Sequence, residues 1–258
     1  MYDLETARTA NQREVTSMLT TAETLTDADW ARPALPGWTI TDLLDHCARA
    51  LTQQAEAFQR GITGNMEPPP FPAPEPTTPS KAIADLRAGL DSIQTALGAL
   101  QPHHLGQLTP MPFGVVPTPV ALQIAVVEYA MHRVDLEQCT TRPDSELPDD
   151  AATTYIDMIP GILPMLAARS EQPPTGPLAF RFTTPEATHT LTFDGQQWAP
   201  TDTHDPTDTT DATVCHITGS AADVAMFYMG RLTTDDARLT ITGHTDAADH
   251  FKQYFPGP

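Results

Sequence analysis

The chain of 258 residues carries 33 acidic against 14 basic side chains, a net charge of −19, and 40 % of its residues are hydrophobic. That is enough apolar material for one large domain or two ordinary ones, while the charge repels phosphate backbones and anionic lipid headgroups and makes nucleic acid and membrane poor partners. The start Met1-Tyr2-Asp3-Leu4-Glu5 lacks the basic and apolar parts of an export signal, no run reaches the ~18 apolar residues of a membrane helix, and Cys47, Cys139 and Cys215 are too scattered for a disulfide framework, so a cytoplasmic protein is expected.

Leu4, Ala7, Val15, Met18 and Leu19 recur at helical spacing behind Asp3 as N-cap, predicting a first helix to about Thr24. Trp30, Pro33, Pro36, Gly37 and Trp38 make a turn whose aromatics plug the end of a bundle. Thr39 with Asp42 forms a capping-box variant that opens a second helix to about Gln59, with Leu43, Leu44, Cys47, Leu51 and Phe58 in its apolar stripe. His46 sits at the border of that stripe, a position that suits a surface histidine as well as one reaching a neighbouring helix. The run from Glu67 to Pro76 is dominated by proline and reads as an extended, semi-rigid connection. Thr78 and Pro79 start a third helix through Leu86, Leu90, Ile93 and Leu97.

A loop containing His103, His104, Pro110, Pro112, Gly114 and Pro117 follows, and Thr118-Pro119 repeats the cap-then-proline start for a fourth helix to about Gln138. Asp149-Asp150 open a less regular helix interrupted by Pro160 and Pro164. Around Ser170 to Pro177 the apolar period changes from helical to alternating, which sets the expected boundary: a helix bundle over 1–172 and a small α+β domain over 173–258. In the latter, residues 178–182 and 191–193 read as a hairpin, 214–218 and 239–242 as further strands, Ser220 caps a helix with Val224, Phe227 and Tyr228, and Thr245 starts a last helix.

The chemistry concentrates in Val126 to Asp135. On a helix, Glu128 and His132 lie four residues apart and point from successive turns to one place. With Val120, Ile124, Val127, Met131 and Val134 as the buried stripe, Glu128, His132 and Asp135 fall together along one flank. Such a pair often does no more than satisfy itself, so a metal reading needs a third ligand, which His46 supplies from the second helix. Two imidazoles and one carboxylate from neighbouring helices fit a divalent metal such as zinc with one position left open, although the same set accepts nickel or iron. Asp135 is placed to orient a ligand ring; the plain alternative is a charge near a helix end.

The turn Leu35-Pro36-Gly37-Trp38-Thr39, the following Leu43-Leu44-Asp45-His46, and Glu128 to Asp135 in the form E-x-x-x-H-x-x-D resemble the mycothiol-dependent maleylpyruvate isomerase family within the DinB-like four-helix bundles. The wider superfamily more often shows three histidines; Glu128 in the middle position favours this branch. Gly219-Ser220, Gly230-Arg231 and the strand from Leu239 to Gly243 resemble the small sterol-carrier-like domain that follows the bundle in that family. The resemblance implies zinc, mycothiol as thiol cosubstrate activated at the metal, a small electrophile as substrate, and an arginine from the second domain at the cleft, for which Arg231 is the candidate; an ordinary exposed arginine at a helix end is its alternative. The expected function is a mycothiol S-transferase or isomerase, with maleylpyruvate isomerase proper, or a noncatalytic metal-containing small-ligand-binding protein, as alternatives.

Overall fold

The computed structural model describes residues 3–75, 77–140, 142–201 and 213–257. They form two units, Met1–Leu147 and Pro148–Pro258, the first helical and the second built on a sheet.

The first unit is a four-helix bundle of α1 (Leu4–Glu23), α2 (Ile40–Thr63), α3 (Pro79–Ala99) and α4 (Thr118–Gln138), in which α2 packs on α3 and α4, and α1 on α3 and α4. Its helix starts follow from side-chain caps. Asp3 accepts the Thr6 N–H at 2.8 Å, and Thr78 accepts the Lys81 N–H at 3.3 Å ahead of Pro79. At the start of α2, Thr39 and Asp42 exchange both capping-box bonds, 3.2 Å from Asp42 N–H to Thr39 Oγ1 and 2.8 Å from Thr39 N–H to Asp42 Oδ2. Two hairpins cover the bundle's connections: β1 (Pro33–Leu35) with β2 (Trp38–Thr39), and β3 (Leu108–Met111) with β4 (Gly114–Pro117). The second lies where an irregular loop was expected, behind a 3-10 turn at Pro102–Gly106.

Three expectations for this unit need correction. Thr118 is the first residue of α4 and not its cap, because its hydroxyl is spent on Gln107 O at 3.1 Å and Thr109 Oγ1 at 3.0 Å. Nor does α4 show one narrow stripe: Ala121, Leu122, Tyr129, Ala130 and Leu136 are buried along with Ile124, Val127, Met131 and Val134, while Val120 is only half-buried. A helix packed on two others and on a hairpin has no solvent face for polar residues to occupy, so its polar residues are inside. Finally, the division falls after Leu147 and not at 172/173.

The reason lies in the partners of α5 (Asp149–Ala167). It runs unbroken through Pro160 and Pro164, and it packs on α6 (Ala221–Tyr228), β6 (Thr188–Phe193) and β7 (Trp198–Pro200), all in the second unit. Tyr228 in α6 donates its hydroxyl to Tyr155 O in α5 at 2.9 Å. The change of period near residue 170 therefore marks a change of secondary structure inside one unit.

That unit's five strands run in the order β7-β6-β5-β8-β9, with β5 (Leu178–Thr183), β8 (Val214–Thr218) and β9 (Thr240–Gly243). All neighbours are antiparallel except β5 and β8. Alternation sends Phe180 and Phe182 inward, where they meet Phe251 at ring-centroid distances of 5.1 and 5.9 Å. The last helix is two short pieces, α7 (Asp246–Asp249) and α8 (Phe251–Tyr254), broken at His250. Gly243 closes the β8–β9 pair at φ +75°, and a Cβ there collides with the Val214 carbonyl. Gly243→Ala should cost about 1–3 kcal/mol in urea unfolding; an unchanged midpoint contradicts that close approach.

Candidate metal centre

Three side chains predicted from the sequence converge in the bundle. Helix α2 brings His46, and α4 brings Glu128 and His132 on consecutive turns. His46 Nε2 lies 3.2 Å and His132 Nε2 3.5 Å from the same Glu128 oxygen, Oε1, and the two imidazole centroids are 5.2 Å apart. All three donor atoms fall within 4.8 Å of one another. Ligand atoms about 2.1 Å from a shared tetrahedral ion stand about 3.4 Å apart, so the two short edges already have the length that one cation requires.

Asp135, one turn beyond His132, faces that ring's remaining nitrogen: Nδ1 is 3.0 Å from Asp135 Oδ2. The imidazole is held between two carboxylates, with Nε2 toward the cluster and Nδ1 toward Asp135. This arrangement fixes a metal-ligating histidine's tautomer and ring plane. Among groups facing carboxylates on both sides, an imidazole keeps a proton on each nitrogen until something replaces one. Burial by itself disfavours the charge on His132, but the bonds to Asp135 and Glu128 outweigh it and push its pKa up to about 9. Burial likewise disfavours charge on Glu128, yet hydrogen bonds from His132 and His46 and their charge hold it well below the usual carboxylate range. The donor set suits a divalent cation, which needs the ionised carboxylate and would take the place of the His132 Nε2 proton.

The neighbouring thiol is not part of this chemistry. Cys47, next to His46, is fully buried, and burial followed by the charges of Glu128 and Asp135 pushes its thiol far up from its ordinary value. Arg231, the fifth predicted residue, lies in the second unit. It follows Gly230 just past α6, and its Nη1 donates to Met229 O at 2.7 Å. Beside it, burial and then the Arg231 charge bring the Lys252 amine down to about 8.

Two features escaped the sequence reading. One is the buried ion cluster that anchors α4 next to His132: Arg133 Nε donates to Glu14 Oε2 and Nη1 to Glu137 Oε2, both at 2.6 Å, while Nη2 donates to Glu146 O at 2.9 Å. Glu14 and Glu137 are each 1 % exposed. Glutamates at interior positions of α1 and α4 were the available signal, but nothing in either helix names its partner 119 residues away. The other is the aromatic surround of His46, whose ring centroid is 4.8 Å from that of Trp38 and 5.7 Å from that of Phe71.

Residues 12–137, close to the whole bundle, match the family model described as mycothiol maleylpyruvate isomerase N-terminal domain. Two solved structures share the fold over 93 % of this chain and 93 % of theirs with a TM-score of 0.67: the mycothiol-dependent maleylpyruvate isomerase at 17 % identity, and a histidine-to-alanine mutant of the mycothiol-dependent maleylpyruvate isomerase at 16 %. No curated protein matches the sequence. The helical unit thus carries the signature of the mycothiol maleylpyruvate isomerase N-terminal domain, and the chain as a whole shares its fold, a helical unit followed by a sheet-containing one, with both solved structures.

Proposed function

We propose that His46, Glu128 and His132 hold one divalent metal, zinc in the first instance, in a mycothiol S-transferase or isomerase that acts on a small electrophile. The observation that carries this reading is the convergence of two imidazoles and one carboxylate from two helices, with one imidazole backed by a second carboxylate. Zinc in such a set supplies the positive charge that makes a thiol in the open position a thiolate near neutral pH. The chain's own residues prepare that position. His46 and His132 give neutral nitrogen donors, Glu128 offsets one charge, and Asp135 keeps the His132 ring in plane. With Cys47 buried and protonated, the nucleophile comes from the cosubstrate. Arg231 is the proposed partner for a substrate carboxylate, which a planar guanidinium binds through two parallel bonds.

No described helix is long and apolar enough to cross a membrane. The described cysteines are all free, which together with a low-molecular-weight thiol as cosubstrate supports a reducing, cytoplasmic setting.

Thiol addition to a cis double bond leaves a single bond free to rotate. Expulsion of the same thiol then gives the trans isomer with the thiol unchanged, whereas retention gives a thioether. The names of the family model and of both solved relatives favour the first outcome, with maleylpyruvate as substrate. Mass spectrometry of zinc-loaded protein with mycothiol and maleylpyruvate separates the two: fumarylpyruvate with thiol conserved indicates the isomerase, an accumulating adduct the transferase. Neither product from this or any other unsaturated electrophile removes the enzymatic reading.

The His132 shift sets the pH dependence of metal binding. Because its pKa is raised to about 9, the metal-free native protein holds that proton at neutral pH, and metal binding releases it. Apparent metal affinity should rise about tenfold per pH unit up to about 9 and then level off, with about one proton released per ion in calorimetry across buffers of different ionisation heat. In the metal-free protein the same shift contributes its full stability below about 6.5, and that contribution is lost as pH rises through about 9. Metal uptake without proton release at pH 7 contradicts this picture of His132.

A further inference from the structure

The proline-rich segment after α2 does not leave the bundle; it turns back along the helix that precedes it. Arg60 Nη1 donates to Glu67 O at 2.8 Å, Gln53 Nε2 to Pro69 O at 2.9 Å, and Arg49 Nη1 to Pro72 O at 3.0 Å. The helix numbers fall as the segment's numbers rise, so the strap runs antiparallel to α2, from its end back toward the turn that carries His46. Arg49, Gln53 and Arg60 repeat by four and seven along one face of the helix. Proline offers no N–H, so carbonyls are most of the backbone hydrogen-bonding groups that such a segment presents, and the three donors on α2 take three of them. Gln53 is buried, so its bond is sheltered from water.

The strap's one aromatic residue ends beside the metal centre. Phe71 meets His46 at a centroid distance of 5.7 Å, and the Arg49 guanidinium carbon lies 4.6 Å from the Phe71 ring centre. Arg49 is thus committed three times over, bonded through Nη1 to Pro72 O, stacked on Phe71 and bonded through Nε to Asp45 at 2.8 Å. Yet Phe71 remains 43 % exposed, one of three large hydrophobic side chains so exposed among the described residues. Trp38, half-buried, approaches the same imidazole at 4.8 Å. A flexible loop would turn an exposed phenyl ring away or pack it; here three tethers and a stacked cation hold it in place next to a predicted ligand.

We propose that Phe71, held by the strap of residues 67–74, forms with Trp38 an apolar wall beside the metal centre, and that the site accordingly takes, besides a small dicarboxylate such as maleylpyruvate, electrophiles bearing a flat apolar or aromatic arm. The inference rests on the reading of His46, Glu128 and His132 as a metal centre that binds a thiol, and names the substrate class of that site. Its physical basis is chemical matching. Two rings offer aromatic contact and little else, and the nearby cation on this wall, Arg49, is already neutralised by Asp45, so a carboxylate gains nothing from lying here. A small dicarboxylate leaves Phe71 uncovered, whereas a benzyl-type arm covers it. Phe71 is then a specificity-determining residue that changes neither the metal nor the thiol.

Calorimetric titration of the zinc-loaded protein with two stable thioethers, S-benzyl mycothiol and S-methyl mycothiol, tests this without turnover. The wild-type protein should bind the benzyl compound about tenfold more tightly, the scale of one good aromatic contact with its buried area. In Phe71→Ala the preference should shrink to about threefold or less, with zinc content and S-methyl affinity unchanged, and Phe71→Tyr should restore it. Since Phe71 is exposed, its removal leaves no cavity in the bundle, and the zinc content doubles as the check that the centre is intact. A tenfold preference that survives in Phe71→Ala, or a wild-type protein indifferent to the two arms, overturns the proposal while leaving the metal and thiol reading in place. Zinc-loaded protein that binds neither thioether overturns both.

Discussion

His132→Ala is expected to purify folded and without its metal. The substitution removes one of three donors and also takes from Asp135 the imidazole that it orients, so two of the interactions that order the centre go at once. Losing the backing carboxylate alone, as in Asp135→Asn, should weaken metal binding by roughly 10- to 100-fold. Losing the ligand itself should weaken it by more than about a hundredfold, enough to empty the site during purification. His46→Ala should behave in the same way from the other helix, because Glu128 with a single imidazole is a poor chelate. Elemental analysis of the wild type and both variants checks the point, with circular dichroism to show that the helices persist. Thiol-dependent turnover should vanish with the metal. Equal metal content in all three proteins would mean that the ion, if any, sits elsewhere.

The largest effect on stability is expected from Arg133→Ala. Arg133 is 8 % exposed and lies between Glu14 and Glu137, which are buried more deeply still. Burial disfavours the Glu137 charge, but the Ser145 hydroxyl and then the Arg133 charge hold its pKa below the ordinary value. Ser17 adds a further bond to Glu137 at 3.0 Å, and Arg13 another to Glu14 at 2.6 Å. Without the guanidinium, two carboxylates lose their central counter-charge inside the bundle, and breaking a buried pair from one side costs about 3–5 kcal/mol. Urea unfolding should show a lower midpoint with an unchanged slope. The triple variant Glu14→Gln, Arg133→Met, Glu137→Gln should recover much of the loss, because it removes the stranded charges together with their partner. A loss under about 1 kcal/mol in the single variant contradicts a buried role for this cluster.

The contrast between these two sites shows what the amino-acid order reveals. The cluster of His46, Glu128 and His132 was legible because two of its members are four residues apart on one helix, which puts them on successive turns of one face, and because His46 follows a capping box whose register the structure retains. Helix starts at Asp3, Thr39 and Thr78 were readable for the same reason: a cap is local chemistry. The Arg133 cluster was not legible, since its partners come from α1, α4 and the segment after α4, and a polar residue on a helix surrounded by others breaks the amphipathic pattern without saying what it meets. The unit boundary was missed because α5 has the period of the bundle helices but packs on α6 and the sheet. The proline strap was correctly extended, yet its direction depends on Arg49, Gln53 and Arg60 as donors, and a helix face does not announce which carbonyls it will hold.

X-ray absorption at the zinc edge of the loaded protein, before and after addition of mycothiol, addresses the centre most directly. Two imidazole nitrogens and a carboxylate oxygen should give a first shell at about 2.0–2.1 Å, and the thiol should add a single sulfur at about 2.3 Å. The same spectra from His46→Ala and His132→Ala should show no protein-bound zinc. A first shell with no imidazole scattering, or one that gains no sulfur at saturating mycothiol, contradicts an open metal position built from residues 46, 128 and 132.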